Sequence, residues 1–104
     1  RMKYQLVLQF RAQAKADYDE MIALEDELIE KLGESAKVDG HDCGSSEMNI
    51  FIHTNEPEKS FERIRPVVAK RKLTENLVAA YRELEGEDYI VIWPIGFEKK
   101  FGIT

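Results

Sequence analysis

The sequence predicts an α+β domain with elements in the order β-α-β-β-α(α)-β, a four-stranded antiparallel sheet carrying its helices on one face. Three observations lead there. Apolar residues alternate over residues 4–10, recur at helical spacing over residues 17–32, and form a short β-rich run over residues 89–93.

The first segment, YQLVLQF, puts Tyr4, Leu6, Leu8 and Phe10 on one face and Gln5, Val7 and Gln9 on the other, which is a strand with one face in a core. The first helix packs through Tyr18, Met21, Ile22, Leu28, Ile29 and Leu32, opens on a capping box of Asp17 with Glu20, and stops at Gly33. Residues 36–43 read as a short polar strand, Gly44-Ser45-Ser46 as a turn, and residues 48–54 as a strand with Met48, Ile50 and Ile52 inward; together they make a hairpin. Thr54-Asn55-Glu56-Pro57-Glu58 has the marks of a helix start: cap residues, proline in the first turn and acids at the positive dipole end. That second helix packs through Phe61, Ile64 and Val68, and Pro66 is expected to kink or interrupt it. Thr74 caps a further helix through Leu77, Val78, Tyr81 and Leu84 up to Gly86. The run YIVIW at residues 89–93, closed by Pro94, is the last strand.

This order matches the ferredoxin-like sandwich, two β-α-β halves with right-handed crossovers. Strand order 4-1-3-2 would set the two most apolar strands, residues 4–10 and 89–93, side by side, with the polar strand 36–43 at the other edge. Gly40 is a candidate bulge that would reverse the alternation around His41 and Asp42. The extension 95–104 keeps Ile95, Phe97, Phe101 and Ile103 in register and is expected to add an edge strand or clasp a partner chain. No repeat or linker divides residues 1–104, which read as one domain, and Arg1 before Met2 reads as an added residue.

The chain has 104 residues, with 20 acidic and 15 basic side chains giving a formal charge of −5, so it argues against sequence-independent nucleic-acid binding. The basic run Lys70-Arg71-Lys72 suits a helix C-terminus. An acidic surface favours basic protein partners by speeding encounter. No tract approaches the roughly 20 apolar residues that span a bilayer, and no secretory cleavage pattern follows the first strand. A single cysteine, Cys43, permits no internal disulfide; the cytoplasm is the expected location.

Reactive side chains concentrate in Asp39, His41, Asp42, Cys43, Glu47 and His53. If residues 39–43 are extended, Asp39, His41 and Cys43 share a face that His53 could approach, a geometry open to zinc or to a Cys–His pair. No CxxC or HExxH spacing accompanies them, so neither a metal, a cofactor nor a catalytic residue is assigned. Gly44-Ser45-Ser46-Glu47 lacks the glycine pattern and lysine of a phosphate loop and reads as a hairpin turn. The sheet face away from the helices would expose Gln5, Val7, Gln9, Asn49, Phe51 and His53, a mixed surface suited to a small molecule, a dimer or a partner protein.

Residues 3–10 (KYQLVLQF), 38–42 (VDGHD), 44–52 (GSSEMNIFI) and 89–94 (YIVIWP) resemble a pattern found in small, largely uncharacterised bacterial proteins, across nearly the whole chain. That resemblance implies no activity and carries over no catalytic residue. In size, charge and expected fold the chain also resembles the immunity proteins of bacterial toxin systems. The reading from sequence is a non-enzymatic protein-binding domain, most concretely an immunity protein that neutralises a cognate basic toxin. Its partner-binding candidates are Asp39, His41, Asp42, Glu47, Phe51, His53, Glu87 and Asp88, with Glu85 adding to the acidic field and exposed aromatics as anchors. The alternatives are a small-molecule-binding or enzymatic dimer using His41 or His53, and a plain homodimeric module.

Overall fold

The computed structural model describes residues 2–11, 18–44 and 46–103. Over these residues the chain forms a five-stranded antiparallel sheet with two helices on one face. The elements are β1 (Tyr4–Arg11), α1 (Tyr18–Leu32), β2 (Ala36–Cys43), β3 (Glu47–Thr54), α2 (Pro57–Lys70), a 3₁₀ turn (Thr74–Asn76), β4 (Leu77–Glu83) and β5 (Ile90–Trp93). Arg1, the expected cap Asp17, and Ser45 of the expected turn lie outside the described residues.

The strand order is β2-β3-β1-β4-β5. β1 therefore sits in the middle, with Leu8 opposite Ile50 of β3 on one side and Ala79 of β4 on the other. Its face through Leu6, Leu8 and Phe10 meets Met21, Leu24 and Leu28 of α1 and Phe61, Ile64 and Val68 of α2. Gly33 at φ +57° closes α1 as expected, its amide donating to the Ile29 carbonyl at 3.1 Å. At the start of α2 the Glu56 amide donates to Thr54 Oγ1 at 3.0 Å, and Thr54 and Ser60 hydroxyls meet at 2.7 Å.

α2 runs through Pro66 to Lys70 without interruption. Pro66 lies on the exposed side, where water can take the carbonyl that its missing N–H leaves free. Lys72 at φ +62° then ends the helix: the Leu73 amide reaches the Val68 carbonyl at 3.2 Å and the Lys72 amide reaches Ala69 at 2.9 Å, a Schellman closure without glycine.

The stretch expected as a helix from Thr74 to Gly86 is instead a single 3₁₀ turn followed by β4. Leu77, Ala79 and Tyr81 face the helices while Val78 and Ala80 face the other way, and both sets are covered. A strand buried on both faces loses polar–apolar alternation, and a short apolar run then reads equally as helix. The sheet consequently has five strands rather than four. β4, not the 89–93 segment, pairs with β1, and that segment becomes the outer edge. The polar strand β2 holds the opposite edge, as expected.

Replacing Leu8 with Ala should lower stability by about 2–5 kcal/mol, since its side chain is fully buried between sheet and helices. Ile29→Ala, at 50% exposure, should change it by less than about 0.5 kcal/mol. Urea unfolding followed by circular dichroism measures both.

Candidate functional site

The β2 bulge decides where the reactive side chains go. Val38 pairs with Ile52 and Gly40 with Phe51, so Asp39 is the extra residue, and Gly40 takes φ +149°. Asp39 consequently stays on the non-helical face, where its Oδ2 lies 3.6 Å from His53 Nε2. His41, opposite the core residue Ile50, turns to the helical face. There its Nδ1 meets both carboxylate oxygens of Glu25 on α1 at 3.1 Å, and the Tyr18 ring stands edge-on at 5.8 Å. The expected convergence of Asp39, His41, Cys43 and His53 is thus split between two faces. Among the described residues no three His, Cys, Asp or Glu side chains gather as a metal site, and Cys43 is an exposed free thiol.

The partner candidates likewise fall into separate places. Asp39, His41 and Asp42 lie on the β2 edge, while Glu87 and Asp88 precede β5 at the other end of the sheet. Phe51 packs into an apolar cluster with Val7, Val78, Ala80 and Phe101. That cluster exists because residues 95–103 fold back across the sheet instead of extending it. Phe101 is buried against Tyr89, with ring centroids 4.9 Å apart, and the Arg11 guanidinium lies 5.5 Å from the Phe97 ring centre.

Beneath this roof sits a buried polar group. Gln9 Nε2 donates to Glu47 Oε2 (3.1 Å), Asn49 Oδ1 (3.1 Å) and the Gly102 carbonyl (2.9 Å). Asn49 Nδ2 donates to Asp42 Oδ1 (2.9 Å) and Glu47 Oε2 (3.2 Å), and Arg11 Nε donates to Gln9 Oε1. Gln9 and Asn49 face each other across β1 and β3 and are fully buried, so their amides must be paired inside the protein. The register of two amides on one face was visible in the sequence; the roof that buries them was not. The network holds β2, β3, β1 and the tail together.

No family model, curated protein or solved structure matches the chain.

On the helical side, Arg71 clamps α1 to the end of α2. Its Nε donates to Glu27 Oε1 at 2.8 Å and its Nη1 to Glu20 Oε2 at 3.0 Å, while Lys70 Nζ lies 3.4 Å from Glu27. The Arg71 hydrogen bond, aided by Lys70, holds the Glu27 carboxyl below its ordinary range, and the two carboxylates raise the Arg71 guanidinium. Beside this clamp lies a cavity of about 170 Å³ lined by Phe10, Met21, Leu24, Met48 and Leu73. It is smaller than the roughly 300 Å³ at which ligand pockets begin.

Two outcomes follow. Gln9→Leu should cost about 1–3 kcal/mol in urea unfolding, because the fully buried Asn49 Oδ1 loses the Gln9 amide and Glu47 Oε2 loses one of its two amide donors. Because Glu27 is depressed in the folded state, its contribution is present above the ordinary glutamate value of 4.5 and disappears as pH falls through the lowered one. The stability difference between wild type and Arg71→Gln should therefore shrink on acidification, as followed by unfolding at a series of pH values.

Proposed function

We propose that the chain is a non-enzymatic protein-binding domain, and that its docking surface is the β2 edge with the adjoining flank of α1. The core from β1 to β4 is read as a ferredoxin-like unit to which β5 has been added. One observation carries the reading: an acidic rim surrounds exposed apolar side chains beside an open strand edge. Tyr18 is 56% exposed and Ile29 50% exposed on the flank of α1 that holds Glu25 against His41. Exposed Asp19, Asp26 and Glu30 on α1 flank them, and Asp39 and Asp42 extend the acidic edge on the non-helical side of β2, against Lys37 and Lys31 as local positive charges. An apolar centre with a charged rim fits a protein partner, and the sign of the rim fits a basic one.

In its most concrete form the protein is a cytoplasmic immunity protein, blocking a basic toxin through this surface. The carboxylate–imidazole contact of Glu25 with His41 favours a second reading, because a carboxylate on Nδ1 orients an imidazole for acid–base work. Neither Glu25 nor His41 lines the cavity beside the Arg71 clamp.

Affinity capture from the native host, followed by titration of the purified partner, tests the proposal. A basic partner that is toxic when expressed alone and harmless when co-expressed is the expected result. Asp39→Asn with Asp42→Asn should slow its association about tenfold at low salt and flatten the salt dependence. A partner indifferent to these substitutions and to salt would remove the β2 edge as the docking surface.

A further inference from the structure

Two of the chain's three methionines, Met21 and Met48, line the cavity beside the Arg71 clamp. The cavity lies where four pieces of chain converge: Phe10 from the end of β1, Met48 from the start of β3, Glu20, Met21 and Leu24 from the first half of α1, and Arg71 and Leu73 from the turn after α2. Phe10, Met21, Leu24 and Met48 are each no more than 5% exposed, so the inner wall is apolar. Glu20, Arg71 and the partly buried Leu73 form the mouth.

Size and chemistry together select an occupant. A volume of about 170 Å³ excludes a nucleotide or a drug-sized ligand. It does admit a single ring, since an apolar protein cavity of about 150 Å³ takes benzene or xenon. Two thioethers and a phenyl ring favour an aromatic guest over an aliphatic one, through sulfur–ring and ring–ring contacts. The mouth carries no surplus charge. Arg71 is held by Glu20 and Glu27, Lys70 lies against Glu27, and exposed Asp19 and Lys72 beside them have opposite signs. An ionised ligand would leave water for a hydrocarbon wall without a net countercharge, a cost that a neutral one does not meet. Arg71 has N–H groups beyond the two that bond these carboxylates, and they can donate to one acceptor on the guest.

We propose that this cavity is a binding site for a neutral molecule of one aromatic ring, held with its ring against Phe10, Met21 and Met48 and its single polar atom toward Arg71 at the mouth. One guest then joins α1, the end of α2 and the β1–β3 ladder, adding to the clamp by which Arg71 already joins the helices. The site includes neither Glu25 nor His41 and does not depend on what docks at the β2 edge.

The test uses the full chain with ¹³C-labelled methionine methyl groups, titrated with phenol and, separately, with benzoate as its charged counterpart. Met2, ahead of β1 at the opposite end of that strand from Phe10, is an internal control. The expected result is saturable movement of the Met21 and Met48 methyl signals at roughly millimolar phenol, no movement of Met2, and binding of benzoate weaker by about tenfold or more. Leu73→Trp places a ring of the protein's own in the mouth and should weaken phenol by about tenfold or more, with the circular dichroism spectrum unchanged. Should that variant fold poorly, the titration of the unmodified chain decides alone. Met21 and Met48 signals that stay still, or that drift linearly together with Met2, overturn the site. Benzoate binding as tight as that of phenol overturns the neutral guest, and undiminished phenol binding by folded Leu73→Trp overturns its location.

Discussion

The molecule is organised around a strand that has water on neither side. β1 is paired along both edges, by β3 and β4, and covered on both faces, by the helices and by the tail. A strand in that position must satisfy every polar atom internally, and β1 carries one fully buried amide side chain, Gln9. Its partners come from β3 and the tail, and through Asn49 from β2. The placement of the β3 polar residues, the path of the tail and the orientation of Arg11 all answer to that one buried group. Hydrophobic area supplies most of the driving force for collapse, while the amide–carboxylate network selects a single arrangement of the non-helical face.

Much of this was legible in the sequence, and most of the failures trace to the unforeseen cover on the non-helical face. The first strand, both helices, the hairpin and the stop at Gly33 follow from periodicity and capping chemistry, and the structure has them. The sheet was taken to be covered on one side only, as alternation in residues 4–10 suggests. Val78, Ala80 and Val7 are apolar because the tail covers them, and that coverage erased the signal separating a strand from a helix at residues 77–83. Residues 95–103 announced their apolar spacing but not their destination, since nothing local tells a folded-back segment from an added strand. At β2 the candidate bulge at Gly40 was visible, and its effect, sending Asp39 and His41 to opposite faces, depends on which pairs of residues the bulge separates. Buried Glu47 and partly buried Phe51 had looked like surface groups because the covering tail was not foreseen.

The two sheet edges differ in chemistry. β2 is polar, interrupted by a bulge and flanked by acidic residues of α1, which discourages self-association and attracts positive charge. β5 is short and apolar, and it continues into the segment that roofs the sheet. The ion-pair clamp of Arg71 lies between the helices and serves neither edge; it fixes the end of α2 against α1, where the left-handed Lys72 turns the chain toward β4.

The central place of β1 also sets an order of events during synthesis. Its amide Gln9 reaches Asn49 across 40 residues and Gly102 across 93. The strand at the middle of the sheet thus leaves the ribosome well before either neighbour exists, and one of its faces has no cover until Gly102 has been made. Such pairings are slow, because the loops must close before any contact rewards them. β1 accordingly emerges unpaired, and its non-helical face is closed only once the segment up to Gly102 has emerged in turn.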